Sequence, residues 1–508
     1  MRRPFLGGVF GIGRGAGHLD TQPGNLLPQP GDFLAEFEHG LVLLGQMALQ
    51  VHIPLLQFGQ SLGFTHWAEL HTKVAKNAKI IFNFCTTFAT LRQRMKRCSL
   101  VLVLLVGVAG LLVSSCSTPA KSPATAGPLI LISIDGFRWD YLQKYDAPVL
   151  RRLAADGVHA TRMTSSFPSL TFPNHYTIVT GLRPEHHGIV ANTFFDPVLQ
   201  ARFNYKTHES SVDSRWWEGG EPVWITAEKQ GVRSACFFWP GSEAKNHGTQ
   251  PTLSKPFDMR LTCTQRVDGL LEWLALPPSQ RPKLATLYFD IVDHAGHTFG
   301  PDAPETAAAV KEADAAVGHL LDGLTGLGLR SHANLVIVSD HGMEPVSPDR
   351  TILIDDYVSL NSIDVDFAGA NAGLRQKTGT AEELAAKLRG KHPQLSVWLR
   401  NEVPERLHYR ASDRIAPVVL SANPGWYITT RDFLRVKRLT FERGTHGFDP
   451  ASPNMGAFFI ASGPAFRRRT EIPDVENIHV YNLLCAILGV KPAPNDGDQR
   501  LVRAVLRR

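Results

Sequence analysis

The chain has 508 residues, 43% of them apolar and 20% charged, which excludes a disordered or fibrous protein and allows one to three domains. Its net charge of +6 is unevenly spread: residues 1–126 hold 11 of the 53 Lys and Arg and 5 of the 47 Asp and Glu, leaving 42 of each sign in residues 127–508. The body is neutral, so stable nucleic-acid binding, which needs a clustered basic face, is not expected.

From Met95 the sequence reads MKRCSLVLVLLVGVAGLLVSSCSTPA, with Lys96 and Arg97 ahead of fourteen apolar or small residues, Leu100 to Val113. A basic start and a short apolar run make a secretory signal, and the run is shorter than the roughly 20 residues a membrane-spanning helix needs. It closes on Val113-Ser114-Ser115-Cys116, which resembles a bacterial lipobox. Residues 95–115 are therefore read as a signal peptide, and Cys116 as the lipid-bearing first residue of a protein exported to the periplasm and anchored to the outer membrane. An uncleaved anchor is the alternative. Because a signal works at an N-terminus, residues 1–94 read as an upstream extension, with a cytoplasmic segment as the competing reading. Residues 116–127, small, polar and Pro-containing, read as a tether, and residues 128–508 as the folded domain. Of six cysteines, Cys236, Cys263 and Cys485 fall in the body, and a Cys236–Cys263 bridge is open in an oxidising compartment.

Within the body, residues 129–134 (LILISI) are a continuous β-rich apolar run stopped by Asp135-Gly136, as expected of a strand covered on both faces. Similar runs recur at 284–289, 335–338 and 457–461, separated by helical patterns such as Pro304 to Leu324 and Asn477 to Leu488. Alternating strands and helices predict an α/β fold with a mostly parallel sheet flanked by helices. Residues 346–440 break the alternation, with a helix-like stretch at Ala381 to Leu388 and strand-like runs at 395–399 and 416–420. They predict a smaller inserted α+β lobe.

Open α/β sheets bind ligands at the carboxyl ends of their strands. There the sequence sets Asp135, then Asp293 and His297 in VDHAGHTFGP, then Asp340 and His341 in SDHGM, while THGF adds His446. Mixed carboxylate and imidazole donors suit zinc and related divalent ions. Six donors exceed one four-coordinate site but suit two ions, which together clamp the attacking and leaving oxygens of a displacement at phosphorus. Thr171 offers a hydroxyl nucleophile ahead of a helical stretch from Asn174 to Thr180, where a helix start favours an anionic substrate. A helix cap at Ser169 or Thr171 is the structural alternative.

The segments ISIDGFRWDYL, TFPNHYTIVTGLRPEHHGIVAN, GGEPVWITAEKQG, FFWPGSEA, DHAGHTFGP, SDHGM and THGFDP together resemble the nucleotide pyrophosphatase/phosphodiesterase family of the alkaline phosphatase superfamily, from about residue 128 to 490. The resemblance implies an alkaline-phosphatase-like fold and two Zn2+ ions, one held by Asp135, Thr171, Asp340 and His341, the other by Asp293, His297 and His446. It implies that Thr171 attacks phosphorus to form a phosphothreonine-type intermediate, which a zinc-activated water hydrolyses. Asn192 would donate to a nonbridging phosphoryl oxygen, Phe172 would help clamp the base or other leaving group, and Phe257 would be the facing aromatic. His294 is not a ligand in this mapping. Leu253 and Ser254 stand where relatives often carry aromatics, and Val292 where many have Pro. The implied activity is hydrolysis of small nucleotide phosphodiesters or pyrophosphates to nucleoside 5′-monophosphates. The alternatives are a lipid or choline phosphodiesterase, a phosphonate or phosphomonoester hydrolase, or a catalytically silent zinc-binding lipoprotein.

Overall fold

The structure, a computed structural model, describes residues 127–507; the extension at 1–94, the signal at 95–115 and Cys116 lie outside the described residues. LILISI forms β1 (Leu129–Ile134), buried along its whole length. Next come α1 (Pro148–Asp156), opened by a proline in its first turn, β2 (Val158–Ala160) and α2 (Thr171–Thr180). The middle of the chain supplies β3 (Ser234–Phe237), β4 (Leu253–Lys255), α3 (Cys263–Leu274), β5 (Leu284–Phe289), α4 (Ile291–Phe299), α5 (Pro304–Gly326) and β6 (Asn334–Val338). Thr262 and Gln265 close a reciprocal capping box on α3, satisfying two amides at its start.

The interrupting segment contributes β7 (Ile363–Phe367), β8 (Asn371–Gln376), α6 (Ala381–Leu388), β9 (Leu395–Leu399) and β10 (Val418–Ala422). These strands pair antiparallel in the order β7-β8-β10-β9 around an apolar core of their own that includes Leu374, Leu384 and Leu420. The inserted α+β lobe is thus present. The chain then returns to the main sheet through β11 (Phe459–Ser462) and β12 (Thr470–Ile472), followed by α7 (Val480–Leu488) and α8 (Arg500–Val505). The helix expected from Asn477 begins as a single tight turn, Asn477–His479, before α7.

The main sheet has eight strands in the order β12-β2-β11-β6-β1-β5-β3-β4. All its pairings are parallel except those of β11, which runs antiparallel to both neighbours. Alternate residues of β1 feed opposite cores. Leu129 and Leu131 join Tyr176, Ile178, Val480 and Leu484 on one face, while Ile130, Ile132 and Ile134 meet Leu150, Val267, Val310 and Val317 on the other. Helices on both sides explain why the strand reads as an unbroken apolar run. Ile337, fully buried in β6 and paired to Ile132 and Ile460, is expected to cost about 2–5 kcal/mol when changed to Ala. The shift of a denaturant unfolding midpoint reads this directly.

Cys236, Cys263 and Cys485 are buried free thiols, so the bridge that was open between the first two is not formed. Burial pushes the Cys263 thiol up to about 12, which leaves it protonated and unreactive near neutral pH. Among the described residues, no helix is long and apolar enough to cross a membrane.

Candidate active site

The parallel strands deliver their polar followers to one edge. Asp135 follows β1, Asp340 and His341 follow β6, and Asp293 sits in the first turn of α4 with His297 one turn on. Gly136 lets the segment after β1 meet the first turn of α4. Its backbone is left-handed at φ +66°, and a Cβ there would lie 2.9 Å from the Asp293 Cα, so only glycine fits both demands. His446 arrives from the loop after a short strand at Gly444–Thr445.

Two donor clusters result, Asp135 with Asp340 and His341, and Asp293 with His297 and His446; in each, the donor atoms lie within 4.8 Å of one another. In the first, His341 Nε2 lies 2.8 Å from Asp340 Oδ2 and 3.6 Å from Asp135 Oδ1. In the second, His297 and His446 bring their Nε2 atoms within 3.1 Å, with Asp293 oxygens 3.5 and 3.6 Å away. The clusters adjoin through the stacked rings of His341 and His446, 3.5 Å apart. Thr171 Oγ1 sits 3.2 Å from His341 Nε2.

Several features fit this donor set to divalent cations. Asp135 Oδ1 and Asp293 Oδ1 are buried without a hydrogen-bond partner, and Asp340 Oδ2 meets only the imidazoles of His341 and His175, a costly state unless a cation completes it. Each histidine engages its Nδ1 elsewhere and turns Nε2 inward: His341 on the Gly342 carbonyl, His446 on the Ser169 carbonyl, His297 on Glu442 and the Gly444 carbonyl. That is how outer partners orient metal-binding imidazoles. Burial, then the charges of Asp340 and Asp293, push the Asp135 carboxyl well above its usual range. Burial also opposes charge on Asp340, but His341 and His175 hold its carboxyl well below the usual range. Burial disfavours protonated His297, yet Asp293 and Glu442 raise it to about 10. Burial, with His341 and His297 nearby, keeps His446 well below the ordinary histidine value. Carboxylates crowded among imidazoles can all reach their ligand forms only if positive charge enters between them.

Thr171 is the first residue of α2, preceded by the extended Leu170, which makes no side-chain cap. The helix starts three residues before the expected Asn174 because Pro173 falls in the first turn, where a missing N–H costs nothing. Neither candidate cap acts as one. Ser169 donates to the Phe448 carbonyl, and the Phe172 N–H donates instead to Asn192 Oδ1 at 3.0 Å. That bond fixes the orientation of the Asn192 amide and leaves its NH2 group to face the cavity.

A cavity of about 710 Å3 opens over the clusters, lined by Thr171, Phe172, Asn192, Tyr205, Phe257 and His446 among others. Phe172 and Phe257 both border it. Phe257 packs on Phe238 and Tyr288 at 5.2 and 6.0 Å, whereas the ring nearest Phe172 is Tyr205 at 5.4 Å. Tyr205, which also lines the cavity, is an aromatic neighbour of Phe172 that the sequence reading missed. His294 is exposed on the rim, clear of both clusters. Sequence reasoning also missed Tyr288, whose hydroxyl donates to Asp135 Oδ2 at 2.6 Å, and Glu442, 2.6 Å from His297 Nδ1. Tyr288 carried a usable signal, lying on the β5 strand beside β1; Glu442 carried none. Glu442→Gln is expected to weaken divalent-metal affinity by about 10–100-fold, as a titration against buffered free zinc would read.

Residues 129–449 match the family described as type I phosphodiesterase / nucleotide pyrophosphatase. An uncharacterized pyrophosphatase/phosphodiesterase of Schizosaccharomyces pombe is 40% identical over 380 residues, 73% of this chain and 78% of that protein. A venom phosphodiesterase of Crotalus durissus collilineatus is 38% identical over 78% of this chain, and mouse ectonucleotide pyrophosphatase/phosphodiesterase family member 1 is 37% identical over 77%. The chain spans about half the length of these last two, 48% and 44%. The solved structure of murine ectonucleotide pyrophosphatase/phosphodiesterase 5 superposes with a TM-score of 0.71 at 36% identity, covering 75% of this chain and all of that one. A further structure of the same murine protein is described as an inactive threonine-to-alanine form in complex with AMP. With the fold, the two donor clusters and the sequence match in agreement, the chain belongs to the type I phosphodiesterase / nucleotide pyrophosphatase family of the alkaline phosphatase superfamily.

Proposed function

We propose that this protein is a two-zinc phosphodiesterase that cleaves nucleotide phosphodiester or pyrophosphate bonds to nucleoside 5′-monophosphates, with Thr171 as nucleophile. The observation that carries the reading is the pair of donor clusters adjoining at Thr171, each with a buried carboxylate oxygen left unpartnered. Asp135, Asp340, His341 and Thr171 would hold one ion, and Asp293, His297 and His446 the other. Bound zinc would supply charge neutralisation at the phosphoryl group and lower the pKa of the threonine hydroxyl.

The chain's own residues divide the remaining work. Thr171 attacks phosphorus from the start of α2, and the Asn192 NH2 group donates to a nonbridging oxygen as charge develops. Phosphorus leaves its first ester or anhydride oxygen and becomes bonded to Thr171 Oγ1; water then displaces Oγ1 and releases the monophosphate. Phe172 and Tyr205 give the base of the retained nucleoside monophosphate an aromatic wall. Diesters are favoured over monoesters because no arginine lines the cavity among the described residues, and a doubly charged terminal phosphate calls for a bidentate fork.

The test compares initial rates of the zinc-loaded protein on a nitrophenyl ester of thymidine 5′-monophosphate, nitrophenyl phosphate and nitrophenyl phosphorylcholine. A large preference for the first supports the reading; preference for the choline ester or the monoester moves the substrate, and silence on all three favours a binding protein. On the preferred nucleotide ester, Phe172→Ala is expected to raise KM by about tenfold, the loss of one base-stacking contact, with a smaller effect on the choline ester. We further propose that residues 95–115 are an export signal and residues 1–94 an extension upstream of it. Lipid-modified Cys116 would then anchor the catalytic domain to a bacterial outer membrane from the periplasmic side.

A further inference from the structure

The described fold has a second cavity, of about 680 Å3, at the opposite edge of the main sheet from the catalytic one. Its residues cluster at the amino ends of the parallel strands: Gly157 precedes β2, Arg469 precedes β12, Arg330 and Ser331 lie shortly before β6, and Ser462 ends antiparallel β11. The catalytic residues follow the carboxyl ends of β1 and β6. A five-residue strand such as β6 separates the two edges by about 17 Å.

Five arginines line this cavity, Arg330, Arg467, Arg468, Arg469 and Arg507, against one carboxylate, Asp156. Among the described residues, none of the five guanidiniums forms an ion pair. Two are fixed by backbone carbonyls: Arg467 donates to Leu506 and Arg503, and Arg507 donates to Phe466. Burial, and then the charge of Arg152, hold Arg330 below the ordinary arginine range, as expected where positive charge collects without an answering anion. The lining contains no aromatic residue, so it offers charge and fork geometry for phosphate and nothing on which to stack a base.

The chain also enters the fold here. The Asn334 N–H donates to the Pro128 carbonyl, and a Cβ on Gly127 would lie 2.2 Å from the His332 carbonyl oxygen, beside Arg330 and Ser331 of the cavity wall. Eleven residues, Ser117 to Gly127, separate this point from Cys116. Eleven residues span at most about 40 Å. We infer that the arginine cavity is a docking surface for the phosphate groups of an anionic lipid bilayer, seating the fold with its catalytic cavity turned away from the membrane. The inference deepens the anchored reading of Cys116 and rests on it for the direction of approach.

The experiment sediments the full-length protein with phosphatidylcholine vesicles and with phosphatidylglycerol vesicles, at low and at about 0.5 M salt. The comparison is Arg468→Glu/Arg469→Glu, two exposed side chains whose exchange leaves the carbonyl contacts of Arg467 and Arg507 in place; unchanged diester hydrolysis reports its folding. Wild type is expected to favour phosphatidylglycerol by about tenfold or more at low salt, to lose that preference at high salt, and to lose it in the variant. Equal retention of wild type on both vesicles, or a preference that survives the substitutions, would overturn the inference. So would its abolition by inorganic phosphate at constant ionic strength, which would make the cavity a free-phosphate site. Failure to sediment with phosphatidylcholine while the phosphatidylglycerol preference persists would instead remove the lipid anchor and leave the cavity's role standing.

Discussion

Thr171→Ala is expected to lower kcat on a nucleotide diester by about 10^4-fold or more while the protein keeps most of its zinc. The asymmetry follows from position. Thr171 supplies one hydroxyl beside the cluster of Asp135, Asp340 and His341, and those three donors remain within 4.8 Å of one another without it. The helix should persist as well, because Thr171 provides no side-chain cap and alanine is a good helix former. Metal analysis and single-turnover kinetics on the same preparation separate the two quantities. Loss of zinc in proportion to rate would reduce Thr171 to a ligand, and near-normal turnover would remove it from the nucleophile's role.

A second large effect is expected at Asp340, where metal and rate should fall together. The side chain is fully buried; one oxygen accepts from the Gly136 N–H at 3.2 Å, and the other faces His341 at 2.8 Å and His175 at 3.3 Å. Asp340→Ala removes a metal donor and strands those groups in the interior, where an unpaired polar group costs about 1–3 kcal/mol. The variant should bind about one zinc fewer per chain and lose at least about 10^3-fold in kcat/KM. Chelation should lower the wild-type unfolding midpoint, since a ligand bound only by the folded state stabilises it, and should shift the variant much less. An unchanged zinc content would place the ion elsewhere.

The framework of the site was legible because the signals are local. LILISI, LATLYF and LVIV each end at a polar residue, and strands buried on both faces have to read as continuous apolar runs. The antiparallel course of β11 was not legible, since an apolar run does not encode its direction. The start of α2 was not legible either: the helical stretch was expected from Asn174, yet the helix begins at Thr171 with Pro173 in its first turn, where a helix tolerates proline. Among the site residues, aspartates and histidines at strand ends announced themselves by spacing and chemistry. Glu442, Tyr205 and the carbonyl of Ser169 act through contacts that only the folded chain makes, far along the sequence from their partners. Phe257 was sought as the ring opposite Phe172; it lines the same cavity, braced by Phe238 and Tyr288. The missing Cys236–Cys263 bridge follows from burial of each thiol in its own element.

The central claim is covalent catalysis by Thr171 between two metal clusters. The most direct measurement is acid quench of the zinc-loaded enzyme during turnover of a nucleotide diester, followed by peptide mass analysis. A nucleotidyl group on the peptide that carries Thr171, absent from Thr171→Ala, is the expected result. Full turnover with the adduct on a different residue would contradict the account.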